Sequence, residues 1–202
     1  MIEEQWTENV ILADADYVDS VAFDLTVNFE RMLGRRIPHA DLAQWTECVA
    51  LDGGMKLPDG QQAADTEIQV ILVHGRQSTA MQNFTPGRYG ELSGKAVRGR
   101  LGEMIFTAVQ TEDMVSKDDL LLDTLRMVCQ QKGVRRLMIV VPEQLLDDVR
   151  QTLRRHDSDD RRTTVFTMQP VQGGAFRQEL LGYSLMAALG ISGKEIEEKL
   201  NN

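Results

Sequence analysis

The sequence predicts an α/β protein with a mostly parallel, five-stranded sheet in three layers and a C-terminal helical extension. Short β-branched apolar runs alternate with stretches of helical periodicity over the first 170 residues. The segments between those runs are long enough to carry the crossover connections that parallel neighbours require. With 202 residues, the chain can also bury a full core in one domain with a small appendage.

The first strand is read over residues 9–14. Val21, Leu25, Phe29, Met32 and Leu33 then recur at helical spacing, with Asp19 or Ser20 as the expected N-cap and Gly34 as the stop. A second helix lies around "HADLAQWTECVAL", where Leu42, Trp45 and Val49 share a face and Gly53-Gly54 closes it. The second strand, "EIQVILVHG", ends at His74 and Gly75, and the third is "EMIFTAVQ". Ser116 opens a helix with Asp119 three residues on, and that helix is expected to run to Gly133. The fourth strand, "LMIVV", meets Pro142 before a helix carrying Leu146, Val149 and Leu153, and "TTVFTM" is the fifth.

The tail differs in kind. "FRQELLGYSLMAALG" reads as one apolar helix rich in small residues, and "SGKE" begins a short terminal helix. The expected organisation is therefore a domain over 1–170, a basic glycine-rich insertion at 75–102, and a tail at 171–202 that packs on the domain or mediates a homodimer. A net charge of −9 argues against a surface that is basic throughout, while leaving room for a local basic patch. The stretch "MIEEQWTENV" has acids where a signal peptide has Lys or Arg, and no apolar run approaches the roughly 18 residues of a spanning helix. A cytoplasmic protein with no membrane partner is the expectation. Cys48 and Cys129 have no CxxC partner and are read as reduced thiols.

Ligands of parallel sheets bind at the carboxyl ends of the strands. Asp14, Asp16, His74, Glu112 and Glu143 all fall at those ends in this reading. Carboxylates converging there suit Mg²⁺ or Mn²⁺, which take oxygen ligands and activate water or steady a phosphate oxygen. The plainer reading makes Asp19 a helix cap, Asp16 a turn residue, and Asp14 an acceptor for nearby amides.

"ILADADYV" resembles the first strand and acidic turn of PIN-like domains, in particular the NYN branch. "SKDDLLLDTLRMVCQQKGVRRLMIVVPEQLLDDVRQTLRR" is similar to the second half of such a domain. The resemblance spans roughly residues 9–168 and implies a Rossmannoid fold with a metal site for phosphodiester hydrolysis. Carried over by motif position, Asp14, Asp16 and Asp119 would be catalytic and metal-binding, with Asp118 or Asp123 as further ligands. The chain departs from the pattern after the fourth strand: Pro142, Glu143 and Gln144 stand where the family has a Ser-Gly-Asp-x-Asp turn. "DADYV" also resembles the nucleophile turn of haloacid-dehalogenase-like phosphohydrolases, which implies Asp14 attacking phosphorus and requires a Lys and a Ser or Thr close by.

Between residues 75 and 102, Arg76, Arg88, Lys95, Arg98 and Arg100 face a single acid, Glu91. With Phe84 and Tyr89 interleaved, this segment is expected to follow an RNA backbone or stack a base, or else to form a solvated hairpin. "GELSGKA" is one residue short of a P-loop and lacks its Ser or Thr, and "DADYVD" is no glycine-rich dinucleotide turn, so no nucleotide cofactor is expected. Three functions follow: a divergent Mg²⁺/Mn²⁺-dependent ribonuclease, a PIN-like binding or assembly module without catalysis, and a phosphohydrolase using Asp14.

Overall fold

The computed structural model describes residues 6–60 and 64–201. In chain order the elements are β1 (Asn9–Asp14), α1 (Ala15–Leu33), β2 (Ala40–Asp41), α2 (Leu42–Asp52), β3 (Glu67–His74), β4 (Phe84–Thr85), α3 (Tyr89–Leu92), β5 (Lys95–Gly99), β6 (Gly102–Gln110) and α4 (Lys117–Gln130). They continue with β7 (Arg136–Val140), a 3₁₀ turn at Glu143–Leu145, α5 (Leu146–His156), β8 (Arg162–Thr167), β9 (Arg177–Leu180), α6 (Leu181–Ala188) and α7 (Gly193–Leu200).

The main sheet has seven strands in the order β5-β6-β3-β1-β7-β8-β9, and β2 and β4 form a separate small sheet. All neighbours in the main sheet are parallel except β5, which runs antiparallel to β6. β1 lies at the centre with all six residues buried, the environment that its unbroken apolar run demands. Helices α1, α2, α3 and α6 cover one face around Ile11, Trp45, Phe106 and Phe166. Helices α4 and α5 cover the other around Leu12, Leu125, Ile139 and Val149.

Four strands escaped the sequence reading: the two-residue β2 and β4 of the small sheet, and β5 and β9, which are the two edges of the main sheet. β5 pairs on one side only and shows four of its five residues to solvent, so it has little apolar alternation to read. β9 comes from the first part of the stretch expected to be a single tail helix. Arg177–Leu180 pairs with β8, and the helix starts only at Leu181. From there α6 packs on α2, burying Leu181, Leu185, Ala188 and Leu189.

Helix boundaries differ in one consequential place. α1 begins immediately after β1, and its N-cap is Asp14, whose carboxylate accepts from the Tyr17 amide at 3.0 Å. Asp19, expected to be that cap, lies a turn inside the helix. α4 opens as read, with the Ser116 hydroxyl accepting from the Asp119 amide at 3.1 Å, but it closes at Gln130, three residues early. Among the described residues, no helix is long and apolar enough to cross a membrane.

Candidate functional site at the carboxyl edge

From β1 the chain moves outward through β3 to β6, then restarts on the other side of β1 with β7, β8 and β9. The reversal between β1 and β7 is a topological switch point, where the loops above the carboxyl ends diverge and leave a crevice. Asp14 is the last residue of β1 and Asp16 lies in the first turn of α1, so both acids of "DAD" stand at the carboxyl edge beside that switch point.

Between them sits the side chain of Lys117, the first residue of α4. Its ammonium is 2.8 Å from Asp14 Oδ1 and 3.3 Å from Asp16 Oδ2. Asp16 Oδ2 also accepts the Gly75 amide at 2.8 Å, at the turn that leaves β3. A Cβ on residue 75 would lie 3.2 Å from that oxygen, so the approach favours glycine. Asp14 is 1% exposed, and burial pushes its carboxyl pKa up, with Lys117 and the Tyr17 amide offsetting part of the effect. Burial acts the same way on Asp16, but the Gly75 amide, the Ser78 hydroxyl and Lys117 outweigh it and hold the group below its ordinary value. Burial likewise opposes the Lys117 charge, yet the two carboxylates win and raise its pKa.

The segment after β3 folds over this cluster. Asp19 accepts the backbone amides of Gln82 at 3.0 Å and Asn83 at 2.8 Å, and the Asn83 side chain at 3.1 Å. Asp19 is therefore a clasp for the segment, which corrects its reading as a helix cap. His74 is buried and stacks on Tyr89, ring centroids 3.8 Å apart and planes 9° from parallel. The Tyr89 hydroxyl is buried without a hydrogen bond of normal geometry, although Ser78 is near enough to moderate the rise that burial and the nearby acids impose on its pKa. Phe84 and Tyr89, expected to offer rings to a base, are 3% and 4% exposed and belong to the core.

The other candidates disperse. Asp119 is exposed and accepts from the Ser116 hydroxyl at 2.7 Å; Asp118 is half-buried in the same turn; Asp123 pairs with Arg126 on the outside of α4. Glu112 and Glu143 are exposed, and the Glu143 charge is felt by Tyr17, whose pKa rises mainly through burial. Among the described residues, no group of three His, Cys, Asp or Glu side chains is arranged to hold a metal ion. In the basic segment, Arg76 pairs with Asp113 and Arg88 lies 3.7 Å from Glu91. Lys95, Arg98 and Arg100 point outward along or beside the edge strand β5, and the Arg100 amide donates to Glu47 at 2.6 Å.

Sequence reasoning missed Lys117 and Ser78, and it read Tyr89 as a ring for a base where the structure stacks it on His74. For Lys117 a signal existed, because a cation in the first turn opposes the helix dipole and asks for a compensating partner. Nothing local marks Ser78 or Tyr89; only the return of the segment onto α1 brings them to Asp16.

Fold and site together define an α/β protein with a mostly parallel sheet and a polar cluster at its switch point. The chain belongs to the family of unknown function DUF6621, whose model matches residues 3–196. Nothing matches it among the curated proteins or the solved structures.

Proposed function

We propose that this chain is a PIN/NYN-like Rossmannoid binding module in which an internal ammonium takes the position a divalent cation would hold. One observation carries the reading: Lys117 Nζ lies within hydrogen-bonding distance of both Asp14 and Asp16. A metal-dependent phosphodiesterase needs those oxygens for its cation. Here they are engaged by Lys117, Tyr17 and Gly75, and Asp119, the third ligand the resemblance implies, turns to Ser116. The donor set as arranged therefore fits an ammonium better than Mg²⁺ or Mn²⁺. On this reading the acids organise the carboxyl edge, Asp14 by capping α1 and Asp16 by holding the turn at Gly75.

A second reading is favoured by the company Asp14 keeps. Lys117 and Ser78 are the residue types that a phosphohydrolase places around an Asp-x-Asp turn, with Asp14 attacking phosphorus and Asp16 passing the proton.

Calorimetric titration with Mn²⁺, on the wild type and on Asp14→Asn, separates these functions when run beside assays on single-stranded RNA and p-nitrophenyl phosphate. The module reading expects no saturable Mn²⁺ heat at millimolar concentration and no turnover of either substrate. Saturable binding and RNA cleavage, both lost in Asp14→Asn, would overturn it in favour of the ribonuclease. Phosphate release from the ester alone, lost in the same variant, would establish the phosphohydrolase.

A further inference from the structure

The opposite edge of the sheet has a different electrostatic character. The turns that lead into β7 and β8, together with the last turn of α5, bring residues 132–136 and 154–162 to the amino ends of neighbouring strands. These two segments hold seven Lys and Arg against three Asp in a chain of net charge −9. The acids of the opening motif and of the α4 N-terminus lie at the far ends of the same strands. A distance of more than one Debye length, about 8–10 Å at moderate salt, screens them from this edge.

Not all of these cations are available. Arg161 is buried and saturated by the carbonyls of Val134, Cys129 and Gln131 and by Asp157, which makes it a structural cap on the end of α4. Arg136 is held by Asn9 and Gly54. Lys132, Arg135, Arg154 and Arg155, by contrast, are exposed and make no ion pair with any described residue. A recess of about 310 Å³ opens among Lys132, Arg135, Ser158 and the buried Arg161, with Asp160 as its one anionic wall. Trp6, the residue type best suited to stacking, is half-buried at the same edge. It packs on the core face that contains Val134 and Cys129, two residues before Glu8, whose carbonyl accepts the Arg135 amide at 2.9 Å.

We infer that this amino edge is a binding face for single-stranded nucleic acid, with phosphates on Lys132, Arg135, Arg154 and Arg155 and a base against Trp6. Unpaired cations around an open recess beside an aromatic surface are the parts that sequence-tolerant single-strand binding uses. Duplex fits less well, because the single aromatic would find no unstacked base. The inference stands on residues remote from Asp14, so it holds or fails independently of the reading of the acidic site.

The test is fluorescence anisotropy of a labelled oligouridylate of about 12 nucleotides, titrated with full-length protein between about 50 and 200 mM salt. Four phosphate contacts give a slope of log K on log salt near −3, roughly 0.7 per contact. Lys132→Gln/Arg135→Gln should lower affinity about tenfold and reduce the slope by about 1.4, and Arg154→Gln/Arg155→Gln should act similarly. Lys95→Gln/Arg98→Gln, on β5, should change neither. Binding should also quench tryptophan emission in the wild type but not in Trp6→Phe, since Trp45 is fully buried. No saturable binding at low salt would overturn the inference, as would loss of binding in the β5 variant with the amino-edge variants unaffected. Equal affinity for an acidic peptide of matched charge would also overturn it, reducing the patch to unspecific electrostatics.

Discussion

Lys117 is, among the described residues, the cation that pairs with both carboxylates of this edge, one of them 1% exposed, and it acts beside the Tyr17 and Gly75 amides. Lys117→Met should cost about 2–3 kcal/mol at neutral pH, less than the 3–5 of a fully buried pair because Asp16 and Lys117 keep some solvent. Asp14→Asn should cost only about 1 kcal/mol, since Asn still caps α1 and Lys117 retains Asp16. Urea denaturation of both variants checks the order. The Lys117→Met penalty should shrink as pH falls, because Asp14, already raised by burial, takes a proton and needs no cation. Cys129 offers a second check at alkaline pH. Burial and the Asp157 charge raise its thiol from 9.0 to about 11, despite the opposing Arg161. A group raised in the folded state contributes stability below its unfolded pKa and loses it as pH climbs through the folded one. Denaturation midpoints should therefore fall between pH 9 and about 11, and Cys129→Ala should flatten that part of the profile.

At the scale of elements, two devices hold the region after β3. Gly102 enters β6 at φ +119°, with room for no side chain: an added Cβ would lie 2.0 Å from the Thr66 carbonyl oxygen. Gly102→Ala should lower the melting temperature by several degrees, at about 3 °C per kcal/mol for a chain of this size. Asp19 clasps the segment through three bonds to Gln82 and Asn83. Asp19→Ala should leave the sheet folded but speed hydrogen exchange and proteolytic nicking around residues 79–88, because only the local restraint is removed.

Across the whole molecule, α6 and α7 are attached by different means. α6 contributes Leu181, Leu185 and Leu189 to the core, each 0% exposed. α7 buries no residue completely, and Glu195 ties it to Arg35, which also donates to the Gly190 carbonyl at 3.1 Å. Arg35 thus does more than complement the end of α1. Arg35→Ala should accelerate hydrogen exchange across 193–200 and leave 181–189 protected, whereas Leu185→Ala should cost about 2–5 kcal/mol for the whole domain. Mass-spectrometric exchange on both variants distinguishes a detachable helix from an integral one.

Consecutive residues were enough to show the alternation of strands and helices, the five central parallel strands, the cap at Ser116, and the placement of Asp14 at a strand end. These are local matters of apolar period, propensity and turn chemistry, and they are written in consecutive residues. Asp16 could be placed beside Asp14, but the partner of both acids lies about a hundred residues away and arrives only when α4 is laid against β1. The same reason hid the edge strands β5 and β9. An edge needs one partner and little burial, so its residues carry no strong pattern until the neighbour is present. It also scattered Asp118, Asp119, Asp123, Glu112 and Glu143, since a motif fixes order along the chain while convergence depends on helix phase and on the path of the loops. Only the folded chain brings an ammonium between the acids, lays Tyr89 on His74 inside the core, and sets Lys132 and Arg135 around one recess with Ser158 and Arg161.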